Sequence, residues 1–288
     1  MIARLVACTC ALVFVVASGL DGQSRTFPVD ELKAGMVGVG RTVFEGDRLE
    51  EFKVHILGVL RNVIGPRRNL ILARLEGGPL ANTGVIAGMS GSPVYIDERL
   101  VGAVSYSLGQ FSKEPIAGIT PIGEMTEAAT FAAPRRPAAR VELQMPLTPE
   151  SLRASLRQAF SWARPFADSP ADVQVFGGGT GLNPGLGTLL RPIATPLTLG
   201  GFDPGVIDPI ASAFTDQGFV PVMAGSAVAA LAQGNGAAPG PRPLRPGDPV
   251  GVALMSGDLE IGATGTVTDV EGSRVYAFGH PFYGLGPT

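Results

Sequence analysis

Ser90 stands in the run "GVIAGMSGSPVYIDERLVGAVSY" (residues 84–106), and His280 stands in "RVYAFGHPF" (residues 274–282). Together they are the two side chains in this chain best suited to acyl transfer. A serine hydroxyl is a poor nucleophile until a base within hydrogen-bond reach takes its proton. An acyl-transfer site also needs backbone N–H groups aimed at the developing oxyanion. The sequence "GMSGSP" supplies a sharp, glycine-rich turn: Gly88 and Gly91 accept unusual dihedral angles, which leaves the N–H groups of Gly88 and Ser90 free to converge. Glycine–serine turns also serve as plain loops between strands, so the base decides.

The chain holds two histidines, His55 and His280, and a neutral imidazole suits proton transfer near pH 7. His55 lies in the alternating stretch "FKVHIL", on the opposite face from Phe52, Val54 and Ile56, and is expected to face solvent. His280 ends an apolar strand between Gly279 and Pro281, where a scaffold presents a working side chain. Neither histidine has a partner at metal-ligand spacing, so no metal site is expected. No cofactor is expected either.

The elements that must position these groups are mostly strands. The chain has 288 residues, 45% hydrophobic and 16% charged, with 40 glycines and 25 prolines. That composition favours turns over long helices. The formal net charge of −3 gives no reason to expect nucleic acid as a partner. From Phe27 to Met125 short valine-rich runs alternate with Gly, Pro or charged breaks, the pattern of a small barrel or sandwich. "YIDERLVGAV" reads as a hairpin with its turn at Asp97 to Arg99.

Four stretches follow. Residues 1–23 have the order of a secretory signal: Arg4, an apolar run too short to span a membrane comfortably, then small residues. Both cysteines, Cys8 and Cys10, lie inside it, so the mature chain would have no disulfide. "LVAC" has the form of a lipoprotein box, but apolar sequence continues behind it, which argues against lipidation. Residues 27–131 form a β-barrel module with the nucleophile motif. Residues 132–246 hold a Pro/Arg linker, a helix and a Gly/Pro-rich middle region. Thr148 is the predicted N-cap of that helix, with Leu152, Leu156, Ala159 and Phe160 on one face and Trp162 packed at its end. Residues 247–288 form a β segment that carries His280. Because the sequence stops soon after His280, the expectation is either a fragment of a longer protein or a flexible end. The glycine run "FGGGTGLNPGLGT" (residues 176–188) lacks the Gly-Lys-Ser/Thr ending of a phosphate loop and is read as a loop.

Two segments resemble the SpoIVB-type serine peptidases, a chymotrypsin-like family. "VFEGDRLEEFKVHIL" with "GVIAGMSGSPVYIDERLVGAVSY" is similar to that family's nucleophile segment, and "GTVTDVEGSRVYAFGH" to its histidine segment. The resemblance implies a mainly β fold, a chymotrypsin-like double β-barrel with permuted segment order and one or two short helices in the middle. It implies Ser90 as nucleophile and His280 as general base, acting on a protein or peptide substrate. In the family the histidine segment comes first, whereas here Ser90 precedes His280 by 280 − 90 = 190 residues. Triads are defined by geometry and not by chain order. The nearest match to the family's acid is Glu76 in "ARLEGG", a Glu where the pattern has Asp; Asp97 and Asp269 are the replacements. The expectation is an exported serine endopeptidase, secreted or periplasmic, with no membrane span in the mature chain. The competing reading is a non-catalytic envelope module for binding or assembly on the same scaffold.

Overall fold

The computed structural model describes residues 24–65, 67–108, 114–130, 146, 148–159, 190–215, 219–223 and 243–280. Residues 1–23, read above as a secretory signal, residues 132–140, read as a linker, and Phe160, Trp162 and the glycine run at 176–188 lie outside these residues.

The chain is mainly β, as expected. The first sheet comprises β1 (Val37–Val43), β2 (Leu49–Gly65), β3 (Arg68–Glu76), β4 (Pro93–Ile96), β5 (Arg99–Leu108), β6 (Ile116–Pro121) and β7 (Leu190–Pro192). Its order is β4-β1-β2-β3-β6-β5, and β4 pairs with β5 again, so six antiparallel strands close into a barrel. Closure follows from the alternation along each strand. Phe52, Val54 and Ile56 on β2, Ile71, Ala73 and Leu75 on β3, and Val94, Val104, Ala117 and Ile119 all point into one buried cluster. The β4–β5 hairpin turns at Asp97 and Glu98, both with positive φ (49° and 61°), the two-residue turn whose twist suits antiparallel strands. β7 continues the edge of β5 at Tyr106 to Leu108.

The second unit is a five-stranded sheet: β10 (Pro249–Met255), β11 (Glu260–Glu271), β8 (Thr195–Gly200) and β9 (Phe219–Met223) in that order, with β12 (Arg274–Ala277) on β11. Its own core gathers Leu197, Leu199, Phe202, Val206, Phe214, Phe219, Ile261 and Ala263. Two β units with separate cores are consistent with the chymotrypsin-like double-barrel class. β7, β8 and β9 come from the Gly/Pro-rich middle region, where sequence reading placed no strand. Prolines within these short runs (Pro192, Pro196, Pro221) mask the alternation that marks a strand.

The predicted helix forms over Pro149–Ala159. Thr148 caps it: its Oγ1 accepts from the Ser151 N–H at 3.1 Å, and Ser151 Oγ accepts from the Thr148 N–H at 2.9 Å. Leu152 is fully buried in the second core. Among the described residues no helix is long and apolar enough to cross a membrane.

Candidate active site

The Ser90 loop begins where the one-turn helix Leu80–Thr83 ends at Gly84, whose φ is +66°. Met89 anchors it, with a side chain almost wholly buried in the barrel core. Gly91 N–H donates to the Val104 carbonyl at 2.8 Å and Val104 N–H to the Ser92 carbonyl at 2.9 Å, which lashes the loop to β5. Gly91 has φ +100°, and a Cβ there would overlap the Thr266 carbonyl oxygen and crowd the Phe278 nitrogen. Only glycine fits.

The Ser92 N–H donates to the Met89 carbonyl at 2.9 Å. In a trans peptide C=O and N–H point opposite ways, so this bond turns the Ser90 N–H away from the Met89 carbonyl's partner. Among the described residues neither the Gly88 nor the Ser90 N–H takes part in a hydrogen bond. Both therefore remain available as donors.

His280 arrives on the β11–β12 hairpin. Its register is Val267 with Ala277, Asp269 with Tyr276 and Glu271 with Arg274, with a bulge between Val267 and Asp269. Past β12 the backbone makes two successive three-residue turns. Gly279 N–H donates to the Ala277 carbonyl and His280 N–H to the Phe278 carbonyl, each at 2.9 Å. Phe278 and Gly279 both have φ +67°. For Phe278 that conformation is strained. It is held by packing: the Phe278 ring lies over Gly265, where a Cβ would clash with it, and Gly279 rests against Ala103 and Ser105 of β5.

These two regions meet. Ser90, fully buried, donates its Oγ–H to the Phe278 carbonyl, the oxygen that also accepts the His280 N–H. The hydroxyl and the histidine backbone thus share one acceptor across a separation of 190 residues. His280 itself is half-buried.

The carboxylates sort differently. Glu76 ends β3 on the outer surface of the barrel, and its Oε2 lies 2.8 Å from His55 Nε2. That hydrogen bond first, and then the Lys53 cation, hold its carboxyl below the usual range. His55 does face outward, as expected, and it takes Glu76 as its partner. Asp97 sits in the β4–β5 turn, exposed. Asp269 on β11 is buried, with an oxygen 2.6 Å from the Arg25 guanidinium. Burial pushes its carboxyl up, against the pull of the Val270 N–H and of Arg25. The structure therefore brings the Ser90 and His280 segments together and leaves Glu76 with His55.

Sequence reasoning passed over Arg25, Thr266 and Thr268. Thr266 N–H donates to the Ser90 carbonyl and its Oγ1 to the Gly88 carbonyl, both at 2.8 Å; Thr268 Oγ1 donates to the Gly91 carbonyl at 2.7 Å. Two threonines at alternate positions in the buried strand "GTVTD" were the available signal.

The family model described as SpoIVB peptidase S55 matches residues 26–120, which take in the closed barrel and the Ser90 loop and stop short of β11 and β12. No curated protein and no solved structure matches the chain. Over residues 26–120 the chain is thus similar to a SpoIVB-type serine peptidase domain.

Proposed function

We propose that this chain is an exported serine endopeptidase in which Ser90 is the nucleophile and His280 the general base. One observation carries the reading: Ser90 Oγ and the His280 N–H converge on the carbonyl of Phe278. In the reaction the Ser90 hydroxyl leaves that carbonyl, passes its proton to the imidazole and attacks the carbonyl carbon of a substrate peptide. The N–H groups of Gly88 and Ser90 receive the oxyanion. The imidazolium then protonates the departing amine, and water hydrolyses the acyl-enzyme by the same route in reverse. Because Ser90 is fully buried, peptide access requires the Phe278–His280 turn to swing away from it.

The substrate is a protein or peptide, which agrees with the peptidase domain. Export rests on the leader-like order of residues 1–23. N-terminal sequencing of the protein recovered from the envelope or medium tests it, and recovery of an intact Met1 in the cytoplasm refutes it.

The second reading is a binding or assembly module on the same barrel. Full burial of Ser90 and the engagement of Glu76 by His55 favour it. A fluorophosphonate probe separates the two. The peptidase reading expects labelling at Ser90, abolished in Ser90→Ala and reduced in His280→Ala by roughly 10³-fold or more. A folded protein that the probe leaves unlabelled is the module.

A further inference from the structure

We infer that Thr266 is a positioning residue of this site, with Thr268 acting beside it: its hydroxyl and backbone hold the nucleophile loop and the histidine turn in register. The inference rests on the peptidase reading of Ser90 and His280 and adds residues to it.

Thr266 lies outside both halves of the site and hydrogen-bonds each of them. Its N–H donates to the Ser90 carbonyl and its Oγ1 to the Gly88 carbonyl, while its own carbonyl accepts the Phe278 N–H at 3.4 Å. It sits on β11 between the stretch that pairs with β8 (Glu260 to Ala263) and the stretch that pairs with β12 (from Val267). The nucleophile loop therefore bonds β11 in the gap between two neighbouring strands. Thr268, two residues on, donates to the Gly91 carbonyl from a fully buried position.

The chemistry gives these bonds a direction. The carbonyls of Gly88, Ser90 and Gly91 are each taken by β11, so none of the three peptide planes turns without leaving a buried or half-buried acceptor unpaired. Those planes flank the Met89–Ser90 peptide, whose N–H would face the oxyanion. A misplacement of about 1 Å in such a constellation costs on the order of 100-fold in rate. A valine has the shape of threonine and no hydroxyl, so it removes the bond and keeps the packing.

The experiment uses the full chain and four variants: Thr266→Val, Thr266→Ser, Thr268→Val and, as control, Thr264→Val on the same strand. Three readouts are taken: the rate of fluorophosphonate labelling at Ser90, the pH profile of that rate, and the thermal midpoint. Thr266→Val is expected to slow labelling roughly 10- to 100-fold. Its pH profile keeps its shape, because the imidazole is untouched, and its midpoint falls by only a few degrees relative to the control, the cost of leaving the Gly88 carbonyl unpaired. Thr266→Ser restores most of the rate. Labelling of Thr266→Val at the wild-type rate overturns the inference, as does a loss of rate that follows the midpoint alone. If Thr266→Val does not fold, Thr268→Val carries the same test with a smaller expected effect. If the wild-type protein is not labelled, the peptidase reading fails, and amide hydrogen exchange across residues 84–92 decides the positioning role. Faster exchange in Thr266→Val than in Thr264→Val supports it, and equal exchange overturns it.

Discussion

The Arg25 guanidinium lies 2.6 Å from the carboxylate of Asp269 and so ties the first described residues to the strand that hydrogen-bonds the Ser90 loop. The segment around Arg25 is itself fixed to the barrel. Leu100 N–H donates to the Arg25 carbonyl at 3.0 Å, and Phe27 N–H to the Leu100 carbonyl at 2.8 Å. Arg99 stacks over the Phe27 ring at 4.7 Å. Residues 25–27 are thus a strap from β5 to β11.

Arg25→Met is expected to destabilise the protein at neutral pH by roughly 1–2 kcal/mol, less than the ~3–5 kcal/mol of a fully buried pair because Arg25 is largely in solvent. The sign with pH follows from burial, which raises the Asp269 carboxyl above its unfolded value. The folded state then takes up the proton before the unfolded chain does, so this group favours folding in acid and disfavours it as pH rises through the folded value. Without Arg25 the folded value rises further. The deficit of Arg25→Met should be full at neutral pH and shrink in acid, as Asp269 is protonated, in urea titrations across that range. A deficit that grows in acid would contradict the assignment.

Gly91→Ala is expected to abolish Ser90 labelling and to destabilise the fold by a few kcal/mol, through an occupied site and a φ that L residues rarely adopt. Gly251→Ala on β10, where a Cβ meets nothing within 4 Å, serves as the reference and should leave both unchanged.

Glu76→Gln should break the pair with His55 on the outer surface of the barrel and leave the meeting of the Ser90 and His280 segments untouched. Ser90 labelling should hold within about twofold. A fall of roughly 10⁴-fold, the scale seen when a triad loses its acid, would make Glu76 the acid after all.

Met89→Ala should cost about 2–5 kcal/mol in denaturant unfolding, since it leaves a cavity at the mouth of the barrel core. Met89→Leu should cost less than ~1.5 kcal/mol and retain labelling, because volume is conserved. Equal penalties for the two would show that the side chain does not anchor the loop.

Much of the barrel was legible because its signals are short-ranged. The alternation Phe52, Val54, Ile56 put one face of β2 into the core, and "IDER" placed the β4–β5 turn at Asp97 to Arg99, where the turn that forms is Asp97 and Glu98 and Arg99 already opens β5. Thr148 and Pro149 marked the start of a helix. The strands of residues 190–223 were not legible, because prolines interrupt them and their partners lie elsewhere: β7 pairs with β5, and β8 pairs with β11.

By itself, then, the order of residues determined the strand-rich character, the glycine-bracketed serine loop, and the pairing of that loop with a distant "FGH" turn as the place to look for chemistry. Tertiary structure alone decided which groups meet. It gave Glu76 to His55, joined Arg25 to Asp269 across 244 residues, and put the Thr266 hydroxyl on the Gly88 carbonyl across 178. The reason is physical. Backbone conformation responds to side chains a few positions away, whereas the partner of a buried polar group is whatever barrel closure and the packing of the second sheet bring within 3 Å.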